Sequence, residues 1–589
     1  MIKPVPPAFI FMAGALLVPL LKGRLKAVYL IALPVLAFVD LLAMDNGTYW
    51  IVRFLNQDLI FGRVDRLSMV FGYVFVLITF IGVIYALHVK DDGQHVAALL
   101  YAGGALGVTF VGDLISLYFF WEAMALASVF LILARKTEDS NRAALRYFLW
   151  HFFGGLCLLA GIVLYALERD TIAFAYIGLS DPSTYLIFIG FCLNAVVFPL
   201  HVWLSDAYPR ATVTGAVFMS ALTTKSAVYI LARTFPGTPF LIWAGALMTC
   251  FPIFYAVIAN DMRRVLSYSL INQVGFMVCG IGIGTQLAIN GVAAHAFCHI
   301  IYKALLFMST GAVLHMTGKI RGTDLGGLYK TMPYTAVCCM IGAASISAFP
   351  LFSGFISKSM TVTAVAEEHF TIVWFMLLFA SAGVFHHAGI KVPYFIFFGH
   401  DSGIRAKEPP VNMRIAMGMA AFICLFLGVY PDPLYRILPY PVDFVPYTAF
   451  HVLGMLELLM FGALAFTLLV LSGYYPAEMR AVNLDTDWFL RLPGRQFILF
   501  CQKPLQRFFE SMNRILLGVV GTLKTWPRWA VGTEEKNDYL FHKKLTAFPE
   551  FIYARARYLK TEIKQLSFNL TYILLFFVVL LWIMLYWTG

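Results

Sequence analysis

About sixteen apolar runs, most near the ~20 residues that carry a helix across a bilayer, leave this chain few ways to fold. They lie near 8–21, 27–44, 67–88, 95–112, 114–134, 147–167, 184–203, 211–233, 238–259, 263–283, 287–315, 332–350, 369–389, 412–430, 450–472 and 571–588. No alternation of the β-barrel kind runs through them, so only helices can satisfy the backbone in lipid. Charged residues are 13% of the chain, about half the roughly 25% of a soluble domain. The expected fold is an all-α polytopic membrane protein with about 14–16 transmembrane helices. The first run has no small-residue cleavage site before it and is read as a retained helix rather than a signal peptide.

The net charge of +11 would suggest nucleic-acid binding in a soluble protein. Here the cations sit in loops, and the preference for basic cytoplasmic loops explains them better. Lys22, Arg24 and Lys26 follow the first run; Arg135, Lys136, Arg142 and Arg146 the fifth; Arg263 and Arg264 the ninth. Lys319, Arg321 and Lys330 follow the eleventh, and Arg405, Lys407 and Arg414 the thirteenth. The pattern puts odd-numbered loops in the cytoplasm and both termini outside, with Arg53, Arg63 and Arg66 as exceptions. The nine cysteines are scattered, without CxxC or zinc spacing, and read as apolar packing residues. No metal site, flavin, haem or cluster motif is present, so no cofactor is expected.

Composition sets the nearly continuous helices of residues 1–472 apart from a basic polar segment (473–570) and a terminal helix (571–589); within the first, the expected division is N-terminal helices (1–94), a core (95–430) and further core helices (431–472). Within the polar segment Ile552, Leu559, Ile563 and Leu566 form a stripe flanked by Arg555, Arg557, Lys560 and Lys564. That pattern fits an amphipathic helix on the membrane surface.

Ionisable residues inside the apolar runs carry the functional information. A charge near the bilayer centre costs at least ~2.5 kcal/mol on insertion scales, so such residues usually face protein or water and mark an ion or proton path. Glu122 interrupts the run 114–134 and is followed by small residues that allow close helix contact. Lys225 sits in Ser220-Ala-Leu-Thr-Thr-Lys225, and a buried lysine loses its proton readily. His295, His299 and Lys303 are spaced by four and share one helix face over ~12 Å. Lys358 follows Pro350 and Gly354, as Lys225 follows Pro209 and Gly215. Proline and glycine interrupt helices, and two interrupted helices that each carry a lysine suit an inverted-repeat transporter. Static buried ion pairs, packed histidines, metal ligation by His295 and His299, and a snorkelling Lys358 are the competing readings. An enzyme using His295 or His299 as a base would want a nucleophile motif such as GxSxG beside it, and none is there.

Five segments together resemble the antiporter-like membrane subunits shared by Mrp-type cation/proton antiporters and respiratory complex I. They are Gly112-Asp-Leu-Ile-Ser-Leu-Tyr-Phe-Phe-Trp-Glu122, Pro199-Leu-His201-Val-Trp-Leu-Ser-Asp206-Ala-Tyr-Pro209 continuing through Gly215 to Lys225, Asn260-Asp-Met-Arg263-Arg264, His295 to Phe307, and Ser347-Ala-Phe-Pro350-Leu-Phe-Ser-Gly354-Phe-Ile-Ser-Lys358. The wording around Thr214-Gly215 and Thr223-Thr224-Lys225 leans towards the D-type subunit of Mrp antiporters. The resemblance covers roughly residues 65–430 and implies two inverted five-helix repeats, each with a broken helix. It implies that Glu122 pairs with Lys225, that Arg263 stands where many relatives carry lysine, that His295, His299 and Lys303 form a central relay, and that Lys358 ends the row. His201, Asp206, Pro209, Pro350 and Gly354 become supporting residues. Arginine does not readily release a proton, so Arg263 suits a fixed charge. The implied function is proton translocation within a multi-subunit Na+ or K+/proton antiporter of the cell (inner) membrane. The alternative is a pumping subunit of a complex I-like NADH, ferredoxin or hydrogenase complex. The implied partners are other membrane subunits, protons, Na+ or K+ and lipid, without nucleic acid.

Overall fold

The computed structural model describes residues 5–475 apart from 55 and 56, with isolated positions between 479 and 514. The surface helix expected within 473–570 and the terminal span at 571–588 lie outside the described residues. The chain divides into two units, Met1–Phe489 and Leu490–Gly589; among the described residues the membrane helices lie in the first.

Capped helices follow one another with short loops. α1 (Pro7–Leu17) and α2 (Gly23–Leu42) precede a β-hairpin, β1 (Gly47–Phe54) with β2 (Gln57–Val64). Then come α3 (Arg66–Ala86), α4 (Asp92–Phe110), α5 (Leu114–Leu133), α6 (Glu138–Arg169), α7 (Pro182–Asn194) and the short α8 (Val202–Ala207). α9 (Gly215–Ala221), α10 (Thr223–Thr234), α11 (Pro239–Ile258), α12 (Met262–Ile283) and α13 (Gln286–Thr317) form the middle of the chain. α14 (Pro333–Ile346), α15 (Ser353–Glu367), α16 (Thr371–Val384), α17 (Val411–Val429), the single turn α18 (Asp432–Tyr435) and α19 (Ala449–Leu471) complete the described part. Among the described residues eleven helical segments are long and apolar enough to cross a membrane, α9 and α10 together making one, and three shorter apolar helices join them. The molecule is a multi-pass, mainly helical membrane protein.

Local chemistry sets the boundaries. Asp65, Thr137 and Asp181 each close a reciprocal capping box with the residue three positions on, which satisfies amide groups at the helix start. The Thr137 box starts α6 at Glu138, nine residues before the apolar run beginning at 147. Buried glycines let backbones meet. A Cβ on Gly245 of α11 would strike the backbone of Cys279 on α12, and one on Gly275 would strike the backbone of α11. α12 and α13 are buried along nearly their whole length and form the central pillars.

Three features refine those expectations. The hairpin departs from an all-α chain: Tyr49, Ile51 and Val52 pair with Gly62, Ile60 and Leu59, and these aromatic and β-branched residues favour strand. It also explains Arg63, an exception to the loop-charge pattern. Arg63 donates to the Phe174 carbonyl and lies 3.7 Å from Asp65, so it ties the hairpin to the helices. Second, the first helix break falls at Leu222, between α9 and α10, with Pro209 and Gly215 upstream of it. Third, the run 332–350 stops at Ile346 and Lys358 rides a separate helix, α15. Ala348 and Leu351 take positive φ of 58° and 72° in the connection. Gly354 fits because a Cβ there would run into the Ser345 carbonyl oxygen at the end of α14.

Candidate functional site: a buried row of lysines and histidines

The two broken helices use one device. Lys225 on α10 donates to the Ser220 carbonyl of α9 at 2.5 Å. Lys358 on α15 donates to the Ile346 carbonyl at the end of α14 at 2.9 Å. Both lysines are fully buried. The carbonyl end of a helix carries partial negative charge and unpaired acceptors, so an ammonium group is the natural cap. Each break therefore presents carbonyls that hold a lysine without a carboxylate.

Between the breaks stands α13. His295, His299 and Lys303 are all fully buried on it, as their spacing implies. His295 Nδ1 lies 3.2 Å from Ser357 Oγ on α15. That hydroxyl donates to the Ser353 carbonyl, so His295 Nδ1–H donates to Ser357, and Nε2 is left without a protein partner. Both nitrogens of His299 and the Lys303 amine also lack hydrogen-bond partners. Lys225 lies within electrostatic reach of His295, His299 and Lys303, and Lys358 within reach of both histidines. The Lys358 amine also sits 5.2 Å from the centre of the Phe276 ring. α12 supplies neutral polar neighbours: Tyr302 donates to Gln273 at 3.0 Å, and Gln273 donates to Asn272 at 2.6 Å.

The pair expected between Glu122 and Lys225 is not formed. Glu122 packs against α6 where Gly155 leaves room, and its Oε1 has no hydrogen-bond partner. Lys225 turns to the Ser220 carbonyl instead. Arg263, read from the sequence as a fixed charge, is fully buried. Its guanidinium donates to the carbonyls of Tyr208, Ala211 and Thr212 at 3.1 to 3.3 Å, closing the open end of the chain between α8 and α9. Arg263→Met is expected to leave these carbonyls bare and destabilise the protein by about 3 kcal/mol or more. Arg263→Lys keeps a cation there and is expected to keep transport. Thermal unfolding in detergent and proton flux in vesicles check the two outcomes.

The supporting residues brace the approach to the first break. Asp206 holds Arg146 at 2.6 Å and also Arg210, and the Pro209 carbonyl accepts from Arg135 at 2.7 Å. His201 Nε2 faces Asp485 at 3.4 Å, and Tyr268 donates to the same carboxylate at 2.8 Å. Burial pushes the Asp485 carboxyl up, but His201, Tyr268 and the Thr486 amide outweigh it and hold the group below its ordinary value.

Sequence reading missed His387 and Lys391, which sit in a π-helical stretch, Phe385–Lys391, just after α16. His387 is fully buried, faces the Gly383 carbonyl, and lies within electrostatic reach of Lys303. Lys391 donates to the carbonyls of Ala256, Val257 and Ala259 at the end of α11. The four-residue spacing of His387 and Lys391 repeats that of His299 and Lys303 and was the available signal. π-Helical turns are rare and concentrate at functional sites. Among the described residues no group of three or more His, Cys, Asp or Glu could hold a metal ion.

Known proteins resemble this chain in sequence and in fold. Residues 111–386 match the family described as NADH:quinone oxidoreductase/Mrp antiporter, transmembrane. Na(+)/H(+) antiporter subunit A1 of Staphylococcus aureus strain JH9 is 27% identical over 536 residues, covering 78% of this chain and 66% of the relative. The A1 subunit of strain N315 matches to the same extent. The chain thus spans about two-thirds of the length of these curated relatives. They are A1 subunits, whereas the motif wording leans to the D-type subunit; what the two share is the family. Among solved structures, the Mrp complex from Dietzia sp. DQ12-45-1b superposes with a TM-score of 0.72 at 23% identity, over 90% of this chain and 64% of that one. A chain of the membrane-bound sulfane sulfur reductase, an archaeal respiratory membrane complex, gives 0.64 at 24% identity, over 74% and 95%. Those two likenesses bear on the fold. Through residues 111–386 the chain is similar to the NADH:quinone oxidoreductase/Mrp antiporter family of membrane subunits, and it shares the fold of solved members of such complexes.

Proposed function

We propose that this chain is a proton-translocating subunit of a multi-subunit Na+ or K+/proton antiporter in the cell membrane. The observation that carries the reading is the buried row itself: Lys225, His295, His299, Lys303 and Lys358 stand together in the protein interior without a carboxylate partner among the described ion pairs. A static scaffold would gain by replacing such groups with apolar ones, because unpaired buried polar groups are costly. Groups that bind and release protons in turn need this arrangement. A proton gained at one lysine alters the proton affinity of its neighbours, and each tenfold change in that affinity corresponds to about 1.4 kcal/mol. Glu122 and Lys225 load the row, α13 carries it to Lys358, and Arg263 supplies a fixed positive charge.

The antiporter names of the curated relatives favour cation exchange. The likeness to an archaeal respiratory complex, over nearly the whole of that chain, supports the second reading, a pump driven by electron transfer in partner subunits. Affinity purification of the tagged chain in mild detergent with mass spectrometry separates them. Small hydrophobic antiporter subunits with no redox protein are expected. Co-purifying flavoprotein, iron–sulfur or hydrogenase subunits would overturn the antiporter reading in favour of the pump.

A further inference from the structure

The lack of a Glu122–Lys225 pair raises the question of what joins the two, and α6 offers an answer. Its residues Tyr147, His151 and Gly155 recur every four positions and therefore share one face. That face meets α5. Gly155 packs on Glu122, and the Tyr147 hydroxyl lies 2.8 Å from Ser128 Oγ. α5 and α6 run antiparallel, so His151 falls between these two contacts, opposite the small Ala125. It is one helical turn, about 6 Å, from Gly155.

We infer that His151 is a proton-carrying residue between Glu122 and the helix break at Lys225. The inference rests on the proton-translocation reading above. His151 is buried, its Nδ1 lies 2.9 Å from the Tyr147 carbonyl, and its Nε2 has no partner. A carbonyl oxygen only accepts, so Nδ1 carries the proton and Nε2 presents a lone pair. The ring stacks on Tyr147 at 3.9 Å and meets Trp203 edge-on at 4.5 Å, which fixes its plane. Packing alone does not account for it. A phenylalanine would fill the same slot without leaving a buried nitrogen unsatisfied.

The far side of His151 leads to Lys225. Ser128 donates to the Ala125 carbonyl, so the Tyr147 hydroxyl donates to Ser128. Tyr147 also interacts with Thr223. Thr223 Oγ1 shares a hydrogen bond with the Tyr101 hydroxyl, and Thr223 opens α10 two residues before Lys225. The transfer conserves protons. Protonated Glu122 gives its proton to His151 Nε2, leaving a carboxylate and an imidazolium. The imidazolium then discharges to the Tyr147 hydroxyl, whose own O–H turns from Ser128 to Thr223, and Thr223 passes one proton on in turn to the neutral Lys225 amine. Glu122 is reloaded from its own side.

The test is proton flux in reconstituted vesicles containing the whole complex, for His151→Gln, His151→Ala and Glu122→Gln, each with and without added imidazole. His151→Gln is expected to assemble and lose at least tenfold in flux. His151→Ala is expected to lose as much, with imidazole restoring a substantial part, and imidazole is expected to do nothing for Glu122→Gln. Wild-type flux in His151→Gln would overturn the inference. So would an assembled, inactive His151→Ala that imidazole leaves unchanged. If His151→Ala fails to assemble, the His151→Gln flux decides alone. Loss in Glu122→Gln beside wild-type flux in His151→Gln defeats only this inference, whereas wild-type flux in both defeats the proton-relay reading as well.

Discussion

Lys225→Met and Lys225→Arg are both expected to abolish proton transport, and for different reasons. Methionine removes the titrating amine. Loss of a positioned proton-transfer group typically lowers a rate roughly 100-fold or more. It also strips the donor from the Ser220 carbonyl, at about 1–3 kcal/mol. Against a total stability of roughly 5–15 kcal/mol the helix pair should still form. Arginine keeps a donor and a charge near the break but does not give up its proton. Stability is then retained and transport is not. Dye-based proton uptake in inverted vesicles, with the amount of protein in the membrane measured alongside, checks both. Wild-type transport by Lys225→Arg would mean that this position needs only a fixed positive charge.

Glu122→Gln is the second large effect. The amide keeps the shape that packs against Gly155 but cannot exchange a proton, so transport should again fall roughly 100-fold while the complex persists. Gly155→Ala makes the same point from the other helix. A Cβ at that position would run into Glu122 Oε1, and the carboxylate must move. A displacement of about 1 Å in a positioned group can lower a rate roughly 100-fold, so Gly155→Ala should impair transport with Glu122 still present. Overpacking itself costs about 1–3 kcal/mol, which thermal unfolding in detergent would report. Normal transport in Gly155→Ala together with normal stability would show that the placement of Glu122 against α6 is unimportant.

These expectations separate what the residue order made legible from what only the fold supplies. Charges inside apolar runs cannot hide: Glu122, Lys225 and Lys303 stand out because lipid-spanning helices exclude charge, and Lys358 is marked by the Pro350 and Gly354 before it. The four-residue spacing put His295, His299 and Lys303 on one face, and the 32-residue α13 realises it. Partners were harder to foresee. The obvious counter-ion for Lys225 is a carboxylate, yet its actual partner is a carbonyl at a helix end, and sequence does not mark where a helix stops hydrogen-bonding to itself. The break at Leu222 has no proline or glycine to betray it. His151 lay inside an apolar run as a single polar residue, and its unpartnered nitrogen becomes visible only once α5 and α6 are packed. Lys391 closes the stretch after α16 and reads as a loop cation until it is found buried on the end of α11. Asp485 reaches His201 and Tyr268 from 284 and 217 residues away, a contact no local pattern reports. The hairpin at 47–64 was obscured by its position between hydrophobic helices.

The most direct test of the central claim is proton movement by the purified complex in sealed vesicles under an imposed Na+ or K+ gradient, followed with an internal pH dye. The account predicts that the wild-type complex moves protons against the cation gradient and that the Lys225→Met complex, assembled in equal amount, does not. Equal proton movement by the two would contradict the claim that the buried row carries the protons.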